Sequence, residues 1–157
     1  MATPLNNRAN IAGRLKNPGD YNLSTKFSVE IAGNVVGSII SVDGLEHSHE
    51  TVEYKDPEDM TTRYRPGNNK TTRIKITREW SNDTTFIDWY QNVVKGQTKR
   101  TTITVNVLSD DGNITMSLNF YNAYPETYTF PSFKSMGSAH AVESLTCVFE
   151  NFDYKRS

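Results

Sequence analysis

Between Thr101 and Tyr121 the chain alternates apolar with polar residues, and the polar half of the pattern is made almost wholly of small uncharged side chains. Ile103, Val105 and Val107 alternate with Thr102, Thr104 and Asn106; past Asp111-Gly112, Ile114, Met116, Leu118 and Phe120 alternate with Thr115, Ser117, Asn119 and Tyr121. A period of two sends successive side chains to opposite faces of a strand, and Asp-Gly between two such runs is a hairpin turn signal. The chain must therefore build a sheet with one apolar face to bury and one face of hydroxyls and amides. Composition repeats the theme. Only 36% of the 157 residues are hydrophobic, and the polar excess is Thr, Asn and Ser rather than charge. Thr is β-branched and suits a half-buried pleated surface, while low charge argues against disorder.

Other segments follow the same period. Phe27, Val29 and Ile31 alternate with Ser28 and Glu30, a turn at Gly33-Asn34 leads into a strand over Val35–Val42, and Leu45–Tyr54 reads as a third strand. Residues 55–69 break the pattern with Asp56, Pro57, Glu58, Asp59, Pro66, Gly67 and Asn68-Asn69, which predicts a long polar loop. Ile74 and Ile76 restore the alternation within Thr71–Glu79. One helix is expected over 83–95, with Phe86, Trp89, Tyr90 and Val93 at i, i+3, i+4 and i+7, caps from Ser81, Asn82 or Asp83, and Gly96 as the stop. Pro125 and Pro131 bracket a segment expected at an edge or in a loop, since proline is excluded from central ladders. A last strand is expected over Val142–Phe152. The predicted fold is mainly β, a sandwich or barrel-like domain with one packed helix, spanning 25–157. Residues 1–24 have no sustained period and read as an N-terminal arm that a neighbour orders.

The residues that carry chemistry elsewhere are thinly spread. Seventeen basic and 18 acidic residues leave a net charge of −1, so no global field holds nucleic acid or an anionic membrane. Lys70, Arg73, Lys75 and Arg78 form a local basic run, read as a solvated strand face. Tyr64 and Trp80 near it are too few for a base-stacking platform. Cys147 is the single cysteine, placed among Leu145, Val148 and Phe149 as a buried hydrophobe, which suits assembly in a reducing cytoplasm. Residues 1–24 lack the apolar core of a secretory signal, and no run has transmembrane length, so no direct membrane anchor is expected. His47 and His49 fall on one face if residues 45–54 form a strand, but zinc needs three or four converging donors and spacing supplies two. No Gly-x-Ser-x-Gly elbow and no phosphate-cradling glycine loop is present. No catalytic residue, metal or cofactor is expected.

Eight short segments in order do carry a signal: 27–31 (FSVEI), 41–45 (SVDGL), 51–54 (TVEY), 64–67 (YRPG), 72–78 (TRIKITR), 86–89 (FIDW), 122–125 (NAYP) and 142–145 (VESL). With them the chain resembles the tail tube proteins of contractile phages and of phage-tail-like extracellular injection particles, which are related to type VI secretion tube proteins. The resemblance implies a homo-hexameric ring whose strands join into one barrel, with rings stacked into a hollow tube inside a contractile sheath. It implies as partners further copies of the chain, the sheath protein, baseplate and spike proteins, a tail terminator cap and lumenal cargo. Sheath contraction would drive the tube through a target envelope, from a particle assembled in the producer cytoplasm and released. On this resemblance Asp56, Glu58, Asp59, Arg63 and Arg65 are expected between rings, while Thr102, Thr104, Asn106, Thr115, Ser117 and Asn119 line the lumen. Two alternatives stay open: a tube-initiator paralogue at the baseplate, and a module binding carbohydrate or cargo on its Thr/Asn-rich face.

Overall fold

The computed structural model describes residues 26–70, 72–137 and 139–157; the predicted arm over 1–24 lies outside them. Within the described residues the order is β1 (Phe27–Ile31), β2 (Asn34–Val36), β3 (Ile39–Asp43), β4 (Ser48–Asp56), β5 (Asp59–Lys70), β6 (Thr72–Glu79), α1 (Thr85–Val94), β7 (Thr101–Leu108), β8 (Ile114–Thr129), β9 (Val142–Phe149) and β10 (Asn151–Arg156). The mainly β class with one helix is as expected. Eight strands form one antiparallel sheet in the order β2-β1-β7-β8-β9-β6-β3, with β10 pairing β8, while β4 and β5 pair only with each other.

The long strand β8 organises the sheet. Its first part, Met116–Tyr121, pairs with β7 on one side and β10 on the other, and its second part, Tyr124–Thr129, pairs with β9. Asn122, at φ 54°, lies between the two parts, and Asn tolerates this left-handed conformation better than most residues. The two half-sheets close on a shared core. Val29, Ile103, Val105 and Phe120 of one half cluster with Ile74, Ile76, Leu145, Cys147 and Phe149 of the other and with Phe86 of the helix. Each of the strand side chains comes from the apolar half of a period-two run, so the alternation selects the sheet's part of the core directly.

Helix α1 packs on β8, with Tyr90 stacked on Tyr128 at 6.2 Å between ring centroids and the Trp89 indole N–H donating to the Lys99 carbonyl at 3.1 Å. Asp83 accepts the Thr85 N–H at 3.0 Å just ahead of the first turn, and Gly96 ends the helix at φ 81°. The hydrogen bonds from Thr85, with a smaller contribution from Arg78, hold the Asp83 carboxyl below the ordinary carboxylate range.

Several expectations are corrected. Residues 55–69 are not a loop but most of the hairpin β4–β5, with register running from Ser48↔Lys70 to Asp56↔Asp59. Its alternation is invisible in sequence because both faces are polar. Pro66 is tolerated there because a two-stranded ribbon has an open edge on each strand. Val35–Val42 is two strands, broken at Ser38 with φ 59°. Pro125 sits fully buried inside β8, opposite Cys147 and beside a register shift between Pro125 and Thr127, so the bulge absorbs the missing donor. The last strand breaks at Glu150 into β9 and β10, which follow β8 from one half-sheet to the other.

Arg78 also departs from its predicted solvated face: it is 1% exposed, while Arg73 and Lys75 stay exposed. It lies opposite Glu143, itself 2% exposed, and its Nε donates to that carboxylate. The rest of the guanidinium donates to the Asp83 carboxylate and carbonyl, each at 2.8 Å, and rests 4.0 Å over the Phe86 ring. Tyr128 donates to the second Glu143 oxygen. Burial first, and this bond second, push the Tyr128 phenol well above its ordinary pKa.

Candidate functional site

The strand register brings polar side chains from four strands onto one face. Ser28 and Glu30 of β1 lie opposite Asn106 and Thr104 of β7. Those in turn face Ser117 and Asn119 of β8, which face Lys155 and Asp153 of β10. Directly opposed residues of an antiparallel pair share a face. All six residues expected to line a lumen belong to β7 and β8, with Thr104, Asn106, Ser117 and Asn119 at the centre of this face and Thr102 and Thr115 continuing its alternation.

The face is knitted together by its own side chains. The Asn106 amide donates to Glu30 at 2.9 Å and to the Ser28 hydroxyl at 3.4 Å, while its oxygen accepts from Ser117 at 2.7 Å. Asn106 is thereby 2% exposed although it lies on a polar face. The Thr104 hydroxyl donates to Asn119 at 2.9 Å, and the Asn119 amide donates to Asp153 at 3.0 Å. Tyr121 donates to the other Asp153 oxygen at 2.9 Å, and that bond, more than burial, raises the Tyr121 pKa. Thr115 donates to the Val107 carbonyl at 3.1 Å. Sequence reasoning found the two central strands of this surface and missed the outer two. Ser28 and Glu30 were visible in the alternation of 27–31, but Asp153 and Lys155 join only because the last strand bends onto β8.

The second group, Asp56, Glu58, Asp59, Arg63 and Arg65, is placed together on the hairpin β4–β5 and not on the polar face. Asp59 pairs with Arg63 at 2.9 Å, and the hydrogen bonds from Arg63 and then Thr61 hold its carboxyl below the ordinary range. Arg65 lies 5.9 Å over the Tyr54 ring. The hairpin makes its contacts almost wholly within itself.

The remaining candidates do not converge. His47 precedes β4 and packs against Phe152 and Phe149, at 4.9 and 6.4 Å between centroids, whereas His49 is exposed within β4. Among the described residues no three of His, Cys, Asp and Glu gather as metal ligands would. Trp80 packs edge-on to Phe133 at 5.4 Å, while Tyr64 stands on the hairpin. Cys147 is fully buried, and burial pushes its thiol up to about 12.

The fold sets out two surfaces, a self-bonded polar wall and a two-stranded polar hairpin. The chain belongs to the tail tube family: residues 23–153 match the family of the T4-like virus tail tube protein gp19. It is accordingly a tail tube protein of contractile phage-tail-like injection systems, a component of such particles and not an enzyme. In structure it is similar to a chain of the sheath–tube complex of the extracellular contractile injection system PVC in its extended state, at 25% identity and a TM-score of 0.79, covering 88% of this chain and 93% of that one. It is similar also to a chain of the PVC sheath/tube terminator in the extended state, at 26% identity and a TM-score of 0.78, covering 87% and 98%. Hcp1 from Flavobacterium johnsoniae shares the fold at 20% identity and a TM-score of 0.52, over 84% of this chain and 96% of that one. No curated protein matches the chain in sequence.

Proposed function

We propose that this chain is the main tube subunit, forming homo-hexameric rings that stack into a hollow tube, with the four-strand polar face turned to the lumen. The observation that carries this reading is the self-bonded polar face bounded by unpaired strand edges. Among the described residues β10 and β2 each have a partner on one side only. An edge of exposed backbone donors and acceptors invites another strand, and pairing the edges of successive copies closes a ring. The outer partners follow from the assembly: a sheath protein around the tube, a terminator cap at one end, baseplate and spike proteins at the other. The likeness to a chain of the PVC sheath–tube complex supports the first of these. Cargo meets a wall whose amides and hydroxyls are already bonded to each other, so passage breaks few hydrogen bonds. The hairpin carrying Asp56, Glu58, Asp59, Arg63 and Arg65 is the contact between rings.

The test is negative-stain electron microscopy of the concentrated protein, alone and with its baseplate partners. Hollow tubes of uniform width and indefinite length are expected. A chain that remains monomeric with those partners present overturns the proposal. A second reading, a tube-end paralogue, has its support in the equally good fit to a chain of the PVC terminator. It predicts single rings that never elongate.

A further inference from the structure

The half-sheets do not cover each other completely. Phe27, Ile40, Val42, Leu45, Met116 and Leu118 line an open, mainly apolar cavity of about 390 Å³. Its floor continues onto β10, where Tyr154 lies opposite Leu118 and Arg156 opposite Met116, so both share the face that lines the cavity. Tyr154 is 68% exposed, Leu45 44% and Ile40 49%, an apolar run that a soluble monomer would not leave open. The rim is basic. Arg156 is in no ion pair among the described residues, and Lys26 has a single exposed partner, Asp110.

The same chain carries a surface of the opposite character. At the tip of the β4–β5 hairpin Met60 is 99% exposed, next to Asp56, Glu58 and Asp59. Asp56 and Glu58 make no ion pair among the described residues. A two-stranded hairpin is marginal in water on its own, and this one packs on little else in its chain. An exposed thioether beside unpaired carboxylates is complementary in character to an apolar trough with Arg156 and Lys26 at its side.

We infer that the hairpin tip of a neighbouring copy docks in this trough, with Met60 entering among Leu45, Met116 and Leu118, and with Asp56 and Glu58 facing Arg156 and Lys26. The inference rests on the tube reading for the presence of a neighbour. It goes beyond that reading in naming the surface that receives the hairpin. Met suits the role because its flexible side chain fills irregular apolar gaps. The docking also gives the fully exposed Met60 an apolar site.

The experiment is disulfide trapping in assembled protein, using Met60→Cys with Leu45→Cys; buried Cys147 contributes no background. Mild oxidation of tubes is expected to give covalent dimers and a ladder of higher species with the double variant, and neither single variant should give the ladder. Tubes that form normally but yield no ladder, or only a cross-link within one chain, overturn the docking and leave the tube reading standing. Wild-type protein that makes neither rings nor tubes counts against the tube reading itself. If the cysteine variants fail to fold, charge exchange decides. Glu58→Lys should lower the yield of tubes at least tenfold and Arg156→Glu in the same chain should restore it; a harmless Glu58→Lys, or no restoration, overturns the inference.

Discussion

Replacing Glu143 with Ala removes one half of a nearly solvent-free ion pair and leaves the other half in place. Arg78 stays 1% exposed and loses the partner of its Nε, keeping only Asp83, whose side chain is 47% exposed, and the face of Phe86. Tyr128 loses its acceptor at the same time. Breaking a buried pair by deleting one member costs about 3–5 kcal/mol, because the survivor is left uncompensated. The Asp83 contacts hold the expected value toward the lower end, and the orphaned Tyr128 hydroxyl adds back roughly 1 kcal/mol. For a domain of this size the loss corresponds to a melting temperature lower by roughly 6–20 °C. Urea unfolding of the soluble subunit, followed through Trp80 and Trp89, gives the number directly. The informative comparison is the double variant Arg78→Met with Glu143→Leu, in which no buried charge remains. It should be markedly more stable than Glu143→Ala, since an apolar replacement of a whole buried pair is often neutral. A Glu143→Ala loss below about 1 kcal/mol, or a double-variant loss equal to the sum of two single losses, refutes the reasoning.

Two further outcomes follow from the packing. Gly44 has φ +75°, and a Cβ there would lie 2.5 Å from the Arg73 carbonyl oxygen, so Gly44→Ala should destabilise the β3–β6 edge by at least about 1–2 kcal/mol in the same urea assay, whereas Gly112→Ala, with open space around it, should cost less. Cys147, pushed up to about 12 by burial, should resist iodoacetamide at pH 8 in the folded subunit and react at the rate of a free thiol in denaturing urea; rapid labelling of the native protein would contradict its place in the core.

What could be read in the sequence, and what could not, divides on whether a strand has one apolar face. The runs at 27–31, 72–79, 101–108 and 114–121 each turn one apolar side inward, fully buried at residues such as Val29, Ile76, Ile103 and Phe120, and alternation alone gave their faces and most of the core. The helix was legible for the same reason, since Phe86, Trp89, Tyr90 and Val93 mark a single stripe. Most of β4 was legible within 45–54, but β5 buries almost nothing, so no hydrophobic period betrays it, and its proline and asparagines read as loop. Arg78 was misread because a positive charge counts as solvent-facing until its partner is known. Glu143 lies 65 residues away in sequence and meets it only through the β6–β9 register. The outer strands of the polar face depend likewise on long-range pairing. The central residues Thr104, Asn106, Ser117 and Asn119 needed only a local hairpin.

The passage of β8 through both half-sheets bears on stiffness. Its 16 residues extend for roughly 50 Å at about 3.3 Å per residue, less whatever the bend at Asn122 removes. Tension applied to the half-sheet of β9, β6 and β3 is therefore carried to the polar face along one covalent backbone, with no flexible linker between. Because the cross-strand bonds stand perpendicular to that backbone, pulling along it shears many at once instead of opening them singly. A push delivered to one part of such a subunit reaches the other with little give, as a thrust-bearing rod requires.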